Sequence, residues 1–295
     1  MSEIKKEKEE GVTLIELMIV LVIAAILVAG IYSLFITQQR SYTVQDQVAG
    51  AQQDARAALT LMARDIRMAG FLLGSEGFNV NGAQFAVTPN NNAGGTDSIT
   101  VAYAADAFIS GGIPVTVTSV SGTSVTLSAI AESSFFDSAP GENSFVAFEG
   151  VDQVYQISSG IGTQTLTLTA SPPTYIANVG AKVFRAKSIT YFVQNNALER
   201  NENGIDTQPI AGDGISTIVE DLQFAYQVRG VNYWTFDGVL DAGETSDTAL
   251  PASTTNADIR MVRINIILRT AVPDPEETSF FKPACEDRGQ INTDS

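Results

Sequence analysis

Few residues in this chain are placed to do chemistry, and the first is Glu16. In GVTLIELMIVLVIAAILVAG, residues 11–30, it is the sole charge in a run that is otherwise almost wholly apolar. Farther on, Asp237, Asp241, Glu244 and Asp247 gather four carboxylates in a glycine-containing stretch, DGVLDAGETSD. Such oxygens suit a hard cation such as calcium, but the alternation of an EF-hand loop is missing and the spacing reads better as a solvated acidic turn. The pairs Glu220 with Asp221 and Asp237 with Asp241 offer an acid and a base in principle, yet spacing in sequence does not set facing geometry. The chain has no histidine and one cysteine, Cys285. Ser-His-Asp and Cys-His nucleophiles and histidine-bound zinc are therefore excluded, and an intramolecular disulfide is impossible. No glycine-rich, lysine-terminated phosphate loop is present. Neither an enzyme nor a bound cofactor or metal is expected. The formal charge of −16 also opposes binding to nucleic acid.

The elements that must carry these residues begin with a membrane anchor. Leu17 to Ile36 are twenty consecutive uncharged, mostly apolar residues, the length needed to cross a hydrocarbon core of ~30 Å as a helix. Lys5, Lys6 and Lys8 precede the run, whereas only Arg40 and Arg56 fall in the twenty residues after it. That bias keeps the N-terminus cytoplasmic and exports the rest. Thr13 and Glu16 have the spacing of a capping box, which predicts a helix start at Thr13. Beyond the span, Val44, Val48, Ala51, Ala55, Ala58, Met62, Ile66 and Ala69 recur every three or four residues, an apolar stripe whose second half should pack on the chain's own head. The helix should run over residues 13–69, about 85 Å at ~1.5 Å per residue, with Gly70 as its left-handed stop.

From residue 71 the composition shifts to Gly, Ser, Thr, Asn and Val in short alternating stretches, which reads as β structure. Strands are expected at 98–103, 114–120, 124–130, 144–148, 153–157, 164–169, 181–185, 188–194 and 259–269. Residues 85–185 show many strands and no obvious helix, as an inserted small β unit would. Tyr233, Trp234 and Phe236 read as core packing beneath the acidic stretch more than as a contact surface. Residues 273–295 are acidic and poor in apolar side chains apart from Phe280 and Phe281. The expected organisation is a leader at 1–11, a helix at 12–70 with its transmembrane half at 17–36, a head at 71–272 with a possible insertion at 85–185, and a tail at 273–295. The fold class is α+β.

A lysine-containing leader, Gly11, then Val12-Thr13-Leu14-Ile15-Glu16-Leu17 and an apolar run together resemble the class III signal of type IV prepilins and pseudopilins. Val12 stands where that family most often has Phe. The resemblance implies cleavage by prepilin peptidase between Gly11 and Val12, N-methylation of Val12, and Glu16 as the acidic fifth residue of the mature chain. It implies that Glu16 pairs with the new amine of a neighbouring subunit and sets axial register. LTLMARDIRMAGF at 59–71, with SITYFVQNNALER at 188–200 and DIRMVRINIILRT at 258–270, is similar to PilW-type minor pilins, and the J-type minor pseudopilins of type II secretion share the outline. The implied partners are prepilin peptidase, other minor pilins and the major pilin, and the inner-membrane assembly platform. The implied location is the inner membrane and then a surface pilus. The alternatives are a pseudopilin of a secretion machine and, from another class, a pilus-tip adhesin whose middle β region binds the target.

Overall fold

The computed structural model describes residues 13–74, 76–92, 95–136, 144–212, 217–237, 246–247 and 249–270. Its first element is a 55-residue helix, α1, at Leu14–Met68. No proline falls within it, so no residue removes a backbone donor from the helical ladder. It stops where the sequence predicts: Gly70 has φ +77°, and an added Cβ there would lie 2.7 Å from the Gly74 carbonyl oxygen. The Gly70 N–H donates to the Ala102 carbonyl at 2.8 Å, tying the helix end to the first long strand of the head.

The strands follow in chain order: β1 (Glu76–Val80), β2 (Ala83–Phe85), β3 (Val87–Asn90), β4 (Ser98–Ala107), β5 (Ile109–Ser110), β6 (Ile113–Pro114), β7 (Val117–Ser121), β8 (Ser124–Leu127), β9 (Phe145–Phe148), β10 (Val154–Ser159) and β11 (Thr165–Leu168). A short helix, α2 (Tyr175–Asn178), precedes β12 (Val183–Gln194), β13 (Ala197–Glu202), β14 (Asp206–Ala211), β15 (Thr217–Val228) and β16 (Ile259–Thr270). The chain is therefore α+β, a long N-terminal helix followed by a β-rich head, a pilin-like architecture.

β12 organises the head. Along one edge it pairs with β4, from Phe184 opposite Ala107 to Tyr191 opposite Ile99. Along the other it pairs first with β9 at residues 183–186 and then with β13 at residues 189–194. The sheet runs β14-β13-β12-β9-β10-β11-β8-β7, every described pairing antiparallel, as short connections allow. β12 also joins three cores, its Ala186 packing in one of them with Leu73, Phe78 and Phe145. Its start contributes Val183 to a core with Phe108, Phe136, Phe148, Tyr155 and Leu166. Its later residues Ile189 and Tyr191 join Ala58 and Met62 of α1, Phe224 and Tyr226 of β15, and Leu198 of β13.

β15 and β16 form a separate two-stranded ribbon of twelve residues each. The far edge of β15 is engaged: Asp97 N–H donates to the Leu222 carbonyl at 2.8 Å, and Phe224 N–H donates to Asp97 Oδ2 at 3.0 Å. Thr235 and Tyr226 exchange backbone hydrogen bonds farther along. Side chains on both faces of β15 are buried along most of its length, which explains why TIVEDLQFAYQV lacks clear alternation.

Three differences from the sequence reading have local causes. The stretches 181–185 and 188–194 are parts of one strand, because Ala186 is buried and the Arg185–Lys187 segment is a bulge in the pairing with β4, not a break. The run 85–185 contains α2, a single turn too short to leave an amphipathic signal. β13 and β14 are polar on their outer faces and carry Pro209, so their pattern resembles loop.

Candidate functional site

At its N-terminus α1 is capped by Thr13, whose Oγ1 accepts the Glu16 N–H at 3.4 Å. The Leu17 N–H donates to the Thr13 carbonyl at 3.2 Å. One half of the capping box is thus formed. The Glu16 carboxylate has no hydrogen-bond or ion-pair partner among the described residues, and Gly11 and Val12 lie outside them. From Leu14 to Phe35 every large apolar side chain is exposed, Leu14 by 77% and Phe35 by 60%. A soluble core helix of this composition would be mostly buried. This one is long and apolar enough to cross a membrane. Among the described residues no atom outside its own helix backbone and chain neighbours lies near enough to crowd a Cβ at Gly30, so no contact among them accounts for a residue that costs a helix interior ~1 kcal/mol.

The second half of the stripe behaves differently. Ala58 and Met62 are buried on the head, while Val44 and Val48 are 43% and 42% exposed. Between Met62 and Ala69 the buried position is Asp65, 2% exposed. Its Oδ1 accepts the Tyr103 hydroxyl at 2.9 Å, and its Oδ2 accepts the Tyr191 hydroxyl at 2.6 Å and Arg200 Nε at 3.2 Å. Arg200 continues to Glu202 at 3.1 Å. Glu202 lies 3.5 Å from Arg185 and 3.8 Å from Lys187, and both of those cations reach Asp106, at 3.2 and 2.9 Å. The chain of charges alternates: Asp65, Glu202 and Asp106 against Arg200, Arg185 and Lys187. Lys187 also lies over the Tyr103 ring, 5.3 Å from its centroid, and Arg185 over Phe135 at 5.6 Å.

Burial and the Asp65 charge push both tyrosines, Tyr103 and Tyr191, well above the ordinary phenol range. For Asp106 burial acts upward, but hydrogen bonds and charge from Lys187 and Arg185 outweigh it and hold the carboxyl below its usual value. The alternating charges compensate one another, so the network fastens the end of α1 to β4, β12 and β13. The sequence carried one hint of it: 58, 62, 65 and 69 also follow helical spacing, with an aspartate at an apolar position.

The other candidate carboxylates among the described residues are engaged in structural contacts. Asp237 Oδ2 accepts Arg263 at 2.9 Å, and the Asp237 N–H donates to Asp247 Oδ1 at 3.0 Å. Arg263 stacks 4.8 Å from the Trp234 ring centroid. Asp241 and Glu244 lie outside the described residues, as does Cys285. Phe236 is core, edge-on to Tyr226 at 5.6 Å, while Tyr233 and Trp234 are half-buried. Glu220 meets Arg269 at 3.4 Å; Asp221 is buried and accepts from the Leu222 N–H and Gln223 Nε2, both at 3.0 Å. Among the described residues no three metal-ligating side chains converge.

An apolar N-terminal helix long enough to cross a membrane, followed by a β-rich head, supports a type IV pilin-like protein. The prokaryotic N-terminal methylation motif matches residues 7–32, covering the end of the charged leader, Gly11, Glu16 and most of the apolar run. That motif implies processing by prepilin peptidase and membrane association with pilus components. Comparison with curated proteins and with solved structures finds no match to this chain.

Proposed function

We propose that this chain is a minor type IV pilin of the PilW type, cut between Gly11 and Val12, methylated on Val12, and taken from the inner membrane into a pilus by its N-terminal helix. The observation that carries the reading is the capped apolar helix over residues 14–35, with its large side chains exposed and a single carboxylate near its start. A carboxylate in hydrocarbon is stable only with a partner, and a processed neighbour would supply one in its N-terminal amine at the same depth. Glu16 is then the assembly carboxylate, and the helix is the surface along which subunits pack. The N-terminus faces the cytoplasm and the head faces the periplasm before assembly. The head is large and holds three hydrophobic cores among the described residues, which suits few copies at the start or tip of a filament more than a repeating shaft.

The test is a deletion strain complemented with the wild-type gene, with sheared pili and secreted proteins measured in the same cultures. Loss of pili with intact secretion is expected. Intact pili with exoproteins held in the periplasm would assign the chain to a secretion pseudopilus instead. Intact pili with lost attachment would make the head an adhesin. Glu16→Ala is expected to be cleaved normally and incorporated poorly; full incorporation would refute the pairing.

A further inference from the structure

On the head, a groove of about 660 Å³ lies between the last turns of α1 and the first half of β16, with Trp234 at its wall. Its floor is apolar, including Ile66, Val87 and Val262, and two guanidinium groups, Arg67 and Arg260, line it. Both arginines are exposed, and neither has an ion-pair or hydrogen-bond partner among the described residues. In a chain carrying −16, two unpaired cations beside one apolar groove mark a place for an acidic, apolar segment. The groove also runs beside an open backbone edge: β16 pairs with β15, and its other edge has no strand partner among the described residues. A strand edge without a strand partner readily accepts another strand.

We propose that the occupant is this chain's own C-terminal segment, residues 271–295, folding back along the free edge of β16 and ending in the groove. β16 leaves the head at Thr270, so the segment starts at the far end of the edge it would cover. Returning from Thr270 to the level of Arg260 takes ten residues at ~3.3 Å each, and twenty-five are available. Pro273-Asp274-Pro275 has the composition of a reversal directly after the strand. The segment holds six acids, Asp274, Glu276, Glu277, Glu286, Asp287 and Asp294, against Lys282 and Arg288, and it brings Phe280 and Phe281 for apolar contact. Glu286 and Asp287 fall about as far beyond the reversal as Arg260 falls before it. The proposal does not depend on which filament the protein enters.

Cys285, the sole cysteine, makes the test clean. In the full chain in detergent micelles, Met261→Cys introduces one partner thiol at a side chain that is 50% exposed, and Ala63→Cys introduces one across the groove on α1. Mild copper-phenanthroline oxidation is expected to give an intramolecular disulfide with Cys285 in either variant. Ser119→Cys, exposed on β7, serves as the control and is expected to give roughly fivefold less. Adding Arg67→Glu and Arg260→Glu is expected to lower the groove cross-link by a similar factor. Yields equal to the control, or unchanged by the charge reversals, would overturn the proposal. A cross-linked dimer without the intramolecular species would also overturn it, in favour of a second copy in the groove.

Discussion

Asp65 and Glu16 are both carboxylates on one helix in apolar surroundings, and their environments differ completely. Asp65 accepts three hydrogen bonds within its own chain, one of them from a guanidinium. Removing it would leave Arg200 with Glu202 as its remaining anion and would take the acceptor away from both phenols. Asp65→Ala is therefore expected to destabilise the head by about 3–5 kcal/mol, read from urea unfolding of the full chain in micelles. A loss under 1 kcal/mol would mean that Glu202 alone can hold Arg200. Glu16 has no such intrachain partner among the described residues, which is why its expected phenotype is in assembly and not in stability.

At the scale of elements, α1 serves two environments with one continuous ladder of backbone hydrogen bonds. Its composition changes near residue 37 from apolar all round to a single stripe, and burial follows that change only from residue 51 onward. Its end depends on Gly70. A side chain there would meet the Gly74 carbonyl and would require a positive φ. Gly70→Ala is expected to lower stability by roughly 1–3 kcal/mol and to loosen the Gly70–Ala102 hydrogen bond, measurable as faster amide exchange at Gly70 and Ala104. Protection unchanged at both amides would refute the role of Gly70 as a hinge pin. Ala104 belongs in the measurement because its N–H donates to the Phe71 carbonyl at 2.9 Å, one residue beyond the cap.

For the molecule as a whole, the charge network predicts how the head responds to pH. Tyr103 and Tyr191 have folded pKa values raised above the unfolded value, and buried Tyr226 is raised as well. Their contribution is fully present below the unfolded tyrosine pKa of ~10 and is lost as pH rises beyond it toward the folded values. Asp106 has the opposite sign: its folded pKa is lowered, so its contribution is present above pH ~4 and fades as pH falls through the folded value. Because Asp106 is 38% exposed, solvent screens it and the acid effect should be the smaller one. Far-ultraviolet circular dichroism against pH is expected to show a steep alkaline transition above about pH 10. A head that stays folded well past that point, with free tyrosinate absorbance, would contradict the buried hydrogen bonds to Asp65.

The sequence by itself determined whatever depends on periodicity and local chemistry. The anchor was legible because twenty uncharged residues leave a helix no other solvent, and the helix stop because glycine alone takes a positive φ there without a steric penalty. The stripe from Ala51 to Ala69 and the long strands near Ser98 and Ile259 followed from spacing in the same way. What only the tertiary structure decided was which distant residues meet. Asp65, Tyr103, Tyr191 and Arg200 are separated by up to 135 positions, and no local pattern links them. β15 was invisible as a strand because it is covered on both faces, which erases the alternation that marks a half-buried strand. Asp237 read as a free carboxylate in an acidic stretch until the fold set Arg263 of β16 against it, twenty-six residues away in the chain. Sequence spacing fixes the face of an element on which a side chain lies; the packing of elements fixes what that face meets.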